Sequence, residues 1–364
     1  MISQKAFEIA DACRFCWMCR HICPTGIASG REEYTPRARG LSVSMYKRGM
    51  PLDADIADAI FSCALCGACS NDCVTGYEPP VFIRQMRTEA VVQNLLPPDV
   101  SAVVDRALDG GDIVTKTADN TKLLAKLAAL PAQADVAVVL GETACNRTPD
   151  NALCLLSLLD KAGVSYCVVR KKSGGALYDL IGDVDEVRAQ AAACAAAIEK
   201  TGAGTLVALD STDARTFCQE YPAWEIALSA KPVTATAYVW SLVQDKKLTV
   251  SRADIGCATY QDPDHIVRDL DESEPARALL AAMQVPVCEM FLHGRLARSC
   301  GNEVLDSYQG ALCTKMARIR LEDAVRTGAD TLVTACPVCF DMLRRVADDR
   351  IRVRDLFCIL DSVC

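Results

Sequence analysis

Four cysteines and a proline near the start of the chain constrain it more than any other feature. Cys13, Cys16, Cys19 and Cys23 are spaced C-x2-C-x2-C-x3-C and are followed by Pro24. The same gaps recur at Cys63, Cys66, Cys69 and Cys73, with Val74 in place of the proline. This is the run that ligates [4Fe–4S] clusters in pairs. Two-residue gaps let one tight turn present three thiolates to three irons, and the fourth cysteine points away to the other cluster. The spacing therefore predicts one cluster on Cys13, Cys16, Cys19 and Cys73, and a second on Cys63, Cys66, Cys69 and Cys23. Zinc sites instead pair two C-x2-C hooks across a longer gap. Disulfides need an oxidising compartment, which nothing in the sequence suggests.

A chain of 364 residues has room for two or three domains. Its 51% hydrophobic and 24% charged residues are those of a soluble globular protein, and with 5% aromatics the cores must be built from Ala, Val and Leu. A net charge of −8 with no long basic block argues against nucleic acid as a partner. The first residues carry Lys5, Glu8 and Asp11 and lack a signal-peptide core. No apolar run reaches membrane-spanning length; the nearest, 189–198, is too short. A cytoplasmic protein is expected, peripheral to a membrane only through a partner.

Residues 2–12, 36–50, 53–66 and 80–95 carry apolar positions at helical spacing, so the first 125 residues read as a helical frame around two cysteine loops. Arg37, Arg39, Lys47 and Arg48 add a basic patch there, a solvated helix face or a docking patch for an acidic electron partner. From residue 135 the texture changes. Val-rich runs at 135–142, 164–169 and 205–210 read as buried strands, with helices at 151–163 and 184–200 between them. Strand and helix in alternation give a parallel sheet. TGAGTLVALD at 201–210 is then echoed 126 positions on by TGADTLVTAC at 327–336, and Ser173-Gly174-Gly175 precedes Ser299-Cys300-Gly301 by the same interval. The last two thirds read as two copies of one α/β module, giving domains 1–125, 126–245 and 246–364.

In the second copy, Cys336-Pro337-Val338-Cys339 sits at a strand end and puts two thiolates on one side of a loop, with Cys300 as a third. A metal or cluster site needs a fourth ligand, for which Asp264 or His265 is the natural source. The remaining cysteines, among them Cys257, Cys288, Cys313, Cys358 and Cys364, read as small buried hydrophobes.

The whole layout resembles the iron–sulphur subunits built from a two-cluster ferredoxin-like domain and two cysteine-rich CCG domains. Heterodisulfide reductase subunits, the C subunit of anaerobic glycerol-3-phosphate dehydrogenase and the iron–sulphur subunit of glycolate oxidase belong to that family. The resemblance implies the fold class: a helical two-cluster domain followed by two α/β CCG modules. It also exposes departures from the family's pattern of a first cysteine, a Cys-Cys-Gly pair and a C-x2-C. In the second module Asp264 stands for the first cysteine and Ser299-Cys300 for the pair, with Cys336 and Cys339 intact. In the first, Glu142, Ser173-Gly174, Asp210 and Asp213 replace every thiol. Hard oxygen ligands suit no thiolate cluster, so the first module is expected to hold none. It is either bare scaffold or a Mg2+ or Ca2+ site on Glu142, Asp210 and Asp213. The second is expected to hold a third [4Fe–4S] cluster, with Zn2+ on Cys300, Cys336, Cys339 and His265 or Asp264 as the alternative.

No G-x-G-x-x-G fingerprint is present, so this chain claims no flavin or nicotinamide site. The resemblance implies a hetero-oligomer in which an FAD-containing dehydrogenase subunit supplies electrons, with no catalytic residue on this chain. The acceptor is membrane-bound, quinone-linked, or a ferredoxin or flavoprotein. The alternative is a catalytic thiol–disulfide (heterodisulfide) reductase subunit, a chemistry that depends in the family on complete CCG motifs.

Overall fold

The computed structural model describes residues 2–364. Its N-terminal helices start where the sequence places caps. Ser3, Thr35 and Asp53 each accept a hydrogen bond from a backbone N–H three residues on, opening helices Gln4–Asp11, Pro36–Lys47 and Ala54–Phe61. Helix Pro79–Val92 is the spine of this part and buries Phe82, Ile83, Met86 and Ala90 against Ala6, Val43, Ile60 and Phe61. In Pro36–Lys47, Gly40 leaves room for Tyr77: an added Cβ would lie 2.2 Å from its hydroxyl. That hydroxyl donates to the Pro36 carbonyl and holds the return from the second cysteine loop against the helix.

The basic patch loses Arg39 to the core. Arg39 is 1% exposed and donates to the Ala59 carbonyl and the Thr25 hydroxyl. Lys47 pairs with Asp11 at 2.8 Å, and Arg37 lies over the Trp17 ring. A helical wheel shows only that these residues neighbour one another; which of them turns inward is decided by the carbonyls waiting in the core.

Two parallel sheets follow. The first has strands β1 (Val136–Val139), β2 (Tyr166–Val168), β3 (Thr205–Ala208) and β4 (Lys231–Thr234) in the order β2-β1-β3-β4. The second has β5 (Ala258–Tyr260), β6 (Thr331–Thr334) and β7 (Arg352–Asp355) in the order β5-β6-β7, with a bridge from Ala258 to Val287 beyond β5. The strands expected from Val-rich runs are present. β4 and β7 add to them without such a run, because they are half-exposed edge strands of mixed composition, KPVT and RVRD. The architecture is thus mixed helix and parallel sheet.

The two sheets share one apolar core. Helix Pro149–Lys161 packs on helix Leu356–Asp361, bringing Leu155, Leu156 and Leu159 into the cluster that holds Phe357 and Leu360. A disulfide joins the same helices through Cys154 and Cys358, which corrects the reading of Cys358 as a free buried thiol. The N-terminal part is joined to the first sheet through Asp179. Burial opposes its charge, but Arg215 and Arg84 hold its carboxyl well below the usual range. The two guanidiniums approach it at 3.0 and 2.9 Å. Gly182, at φ +76, allows this contact; a Cβ there would sit 2.1 Å from the Thr88 hydroxyl and 2.4 Å from the Arg84 carbonyl. Among the described residues no helix is long and apolar enough to cross a membrane.

Candidate metal centre

The eight motif cysteines sit on two irregular loops, each ended by a cysteine that opens or follows a short helix. Cys23 is the N-cap of helix Pro24–Ser29, with Pro24 supplying a preset φ at its first position. The second loop is fixed by Arg87, whose guanidinium donates to the carbonyls of Ile60, Phe61 and Cys63, the last at 2.7 Å. Cys23, Cys63, Cys66 and Cys69 all line one cavity, walled by Thr25, Arg39, Leu65, Pro79 and Ile83. Burial raises the Cys69 thiol well above its ordinary pKa, and the thiols of Cys66, Cys63 and Cys23 push it further. Burial likewise raises Cys66.

In the first loop, burial and the thiols of Cys13, Cys23 and Cys16 push Cys19 up to about 11. Cys73 lies at the mouth of this loop. Its sulphur is 3.2 Å from the Thr75 hydroxyl, which donates to the carbonyl of Ala12, the residue before Cys13. Burial opposes the Cys73 thiolate, but hydrogen bonds from Thr75 and Tyr77 bring its pKa below normal. Each loop's fourth cysteine is thus turned toward the other loop: Cys23 lines the cavity of the second, and Cys73 stands beside the start of the first.

The second apolar cluster of thiols begins where the first cavity ends. Cys66 shares a buried cluster with Cys300, Cys313, Cys336 and Cys339. Cys336 ends β6 as the N-cap of helix Pro337–Arg344, and Pro337 again takes the first helical position. Cys339 lies one turn on and shares hydrogen bonds with both Cys300 and Cys336. The bond with Cys339 lowers Cys336 despite its burial, whereas Cys339 is driven far upward. The thiol that is lowered is the one at the helix N-terminus, where the helix field favours negative charge.

Asp264 pairs with Arg268 and faces Cys66, whose thiol it pushes up. His265 is 2.6 Å from the Asp269 carboxylate and 3.1 Å from Arg215. Both side chains are engaged with neighbouring charges. Cys313, which sequence spacing leaves among the scattered cysteines, shares the buried cluster of Cys300, Cys336 and Cys339. It is buried beside Gly301, where an added Cβ would meet its sulphur at 3.3 Å. No spacing rule links it to Cys300, because the helix Glu303–Val325 that carries it is kinked at Gln309.

The structure does gather the residues of the first module's site. Glu142, Ser173, Asp210 and Asp213 line a cavity of about 250 Å3, joined by Lys172 and by Glu303. Ser173 donates to Asp213 at 2.5 Å, and Lys172 is 3.1 Å from Glu142. Burial pushes Asp213 up to about 7 and also raises Asp210, Glu142 and Glu303.

Among the described residues no three or more His, Cys, Asp or Glu are placed to hold a single metal ion. A mononuclear zinc site needs its ligands within about 2.0–2.3 Å of one point. A cubane takes one thiolate per iron, so its ligands stand apart around a cavity. The set Cys23, Cys63, Cys66 and Cys69 has that second form and fits a cluster.

Comparison with known proteins agrees with this chemistry. The 4Fe-4S dicluster domain family matches residues 9–77 and the cysteine-rich domain family matches residues 258–344. The chain thus matches a 4Fe-4S dicluster domain in its first part and a cysteine-rich domain in its last. Among curated relatives it is similar to the D subunit of dihydromethanophenazine:CoB–CoM heterodisulfide reductase. The Methanosarcina barkeri protein is 23% identical, covering 93% of this chain and 89% of that one. The Methanosarcina acetivorans protein is 24% identical, covering 90% and 87%. A "Probable membrane-anchored ferredoxin" of Chromohalobacter salexigens is 25% identical over 80% of this chain, which spans 45% of that protein. A solved glutamate racemase from Bacillus anthracis has 12% identity over 64% of this chain and 80% of its own, at a TM-score of 0.33, too low to bear on the fold.

Proposed function

We propose that this chain is a non-catalytic electron-transfer subunit. It accepts electrons from a separate FAD-linked dehydrogenase subunit and passes them through two [4Fe–4S] clusters to a further acceptor. The ligands are Cys13, Cys16, Cys19 and Cys73 for one cluster, and Cys63, Cys66, Cys69 and Cys23 for the other. The observation that carries this reading is the cavity shared by Cys23 and the three cysteines of the other loop. A bound [4Fe–4S] cluster supplies one-electron transfer. The chain contributes the low-dielectric walls and the fixed backbone around it. Arg87 sets the Cys63 carbonyl, and the Arg268 guanidinium donates to the Cys66 carbonyl at 2.6 Å.

The thiols of Cys300, Cys336 and Cys339 extend the path into the last third, and their sharing of one apolar cluster with Cys66 supports a third cluster there. Cys313 is the better fourth ligand. The engagement of Asp264 and His265 with neighbouring charges weakens the zinc alternative. The matching strand order of the two sheets supports reading 126–245 and 246–364 as copies of one module, the first without a cluster. We place the protein in the cytoplasm, reaching a membrane only through a partner. Heterodisulfide reduction remains the second reading, favoured by the relatives' printed names.

Iron and acid-labile sulphide analysis of anaerobically purified protein tests the proposal. About eight irons per chain is expected from the two loops, and about twelve if the last site is also a cluster. Fewer than about four irons, with Cys13→Ser and Cys63→Ser harmless, overturns it.

A further inference from the structure

The two cysteine loops match residue for residue fifty positions apart, yet the fold treats them in opposite ways. In the second loop Ala64, Leu65 and Ala68 are 3%, 2% and 6% exposed. They lie beneath the C-terminal module: Asn302 donates to the Ala64 carbonyl, Arg268 to the Cys66 carbonyl and Arg295 to the Asn71 side chain. In the first loop the matching Phe15 and Met18 are 51% and 60% exposed, Arg14 faces solvent, and Cys16 is exposed among them. Trp17, which matches Gly67, is 41% exposed.

Phe15 and Trp17 both hold left-handed backbone, at φ 54° and 68°. Gly67 adopts the same conformation, φ 71°, without a side chain to strain. A tryptophan in its place carries a steric cost that burial does not offset, since the ring is not buried. The rings are nonetheless fixed. The Arg37 guanidinium lies 3.7 Å from the centre of the Trp17 ring and 5.1 Å from that of Phe15. Arg20 and Arg37 share one carboxylate, Glu32, at 3.3 and 4.0 Å, while Arg14 donates to the Asp11 carbonyl and the Asp11 carboxylate is taken by Lys47. This occurs on a chain of net charge −8. An apolar centre with a charged rim is the anatomy of a specific but transient interface.

We propose that Phe15, Trp17 and Met18, ringed by Arg14, Arg20 and Arg37, form the docking face for an electron-carrying protein whose own redox group is rimmed by carboxylates. The proposal rests on the cluster reading above and gives it a direction. Electrons cross the surface at the first loop, because the second is roofed by the chain's own C-terminal module.

The test uses the anaerobic holoprotein and a plant-type [2Fe–2S] ferredoxin as an acidic one-electron probe. Surface plasmon resonance with the oxidised probe reads binding, and stopped-flow with the reduced probe reads electron entry; dithionite serves as the small-molecule control. Binding and the second-order rate are expected to fall about tenfold between about 50 and 300 mM salt. A similar loss is expected in Trp17→Gly and in Arg14→Glu/Arg20→Glu, with iron content and dithionite reduction unchanged. Trp17→Gly is also expected to melt no lower than the parent, which a structural role for the ring would not allow. Equal binding and rates in all variants, or no salt dependence, overturn the proposal, as does a homodimer in sedimentation that Trp17→Gly dissolves. A parent protein that takes up no iron overturns the cluster reading instead, and is recognised because dithionite then bleaches nothing.

Discussion

At the scale of single residues, a thiol can neighbour in space thiols that lie far from it in sequence. Cys23 lines the cavity of the loop forty residues and more away. Cys23→Ser is therefore expected to remove the cluster of Cys63, Cys66 and Cys69 and leave the other, halving iron content from about eight to about four. Electron paramagnetic resonance of the reduced protein checks this through loss of the coupling between two centres. A second residue-scale expectation concerns Asp355, the buried N-cap of helix Leu356–Asp361. Burial pushes its pKa from 3.8 to about 7. A carboxyl raised in the folded state binds protons that the unfolded chain has released. Its contribution to stability is thus full below about pH 4 and lost as pH rises through 7. Asp355→Asn keeps the cap and removes the charge, so it is expected to flatten the fall in stability between pH 5 and 8, by about 1–2 kcal/mol at the upper end. Urea titrations at the two pH values measure it. The dicluster domain was legible in the sequence because cysteine spacing is a local property of the chain. Asp264 and His265 each pair with a charge four residues on, Arg268 and Asp269, a contact that helical spacing allows but does not require.

At the scale of elements, helix Pro79–Val92 couples the cysteine loops to the first sheet. Its Arg87 grips the second loop while Arg84 and Thr88 meet Asp179 and the Ile181 carbonyl. Gly182→Ala would force a Cβ onto the Thr88 hydroxyl and the Arg84 carbonyl at a positive φ. A loss of about 2–4 kcal/mol in denaturant unfolding is expected, with cluster content falling only as the joint opens. The central strands were readable from their Val-rich runs, since a fully buried strand must be apolar on both faces. The edge strands β4 and β7 were not, because half-exposed edges tolerate Lys, Arg and Asp. The joint itself left no trace in the sequence. A glycine before a helix reads the same whether or not another backbone lies against it.

At the scale of the whole molecule, bonds between distant segments help hold the sheets together, among them the ion pairs of Arg147 with Asp306 and Asp341, and the Cys154–Cys358 disulfide. The latter closes a loop of 204 residues that no spacing rule could reveal. Thiol titration of the denatured, cluster-free protein is expected to find two fewer thiols without reductant than with it. Reduction is expected to cost about 2–4 kcal/mol of stability. The roof that the last module lays over the second loop has a chemical consequence as well. Dioxygen meets the first loop, with Cys16 at the surface, long before it reaches Cys66 and Cys69. Under air the protein is expected to bleach in two phases, passing through a form that keeps only the covered cluster. The exposure that admits a partner thus also fixes which half of the molecule ages first.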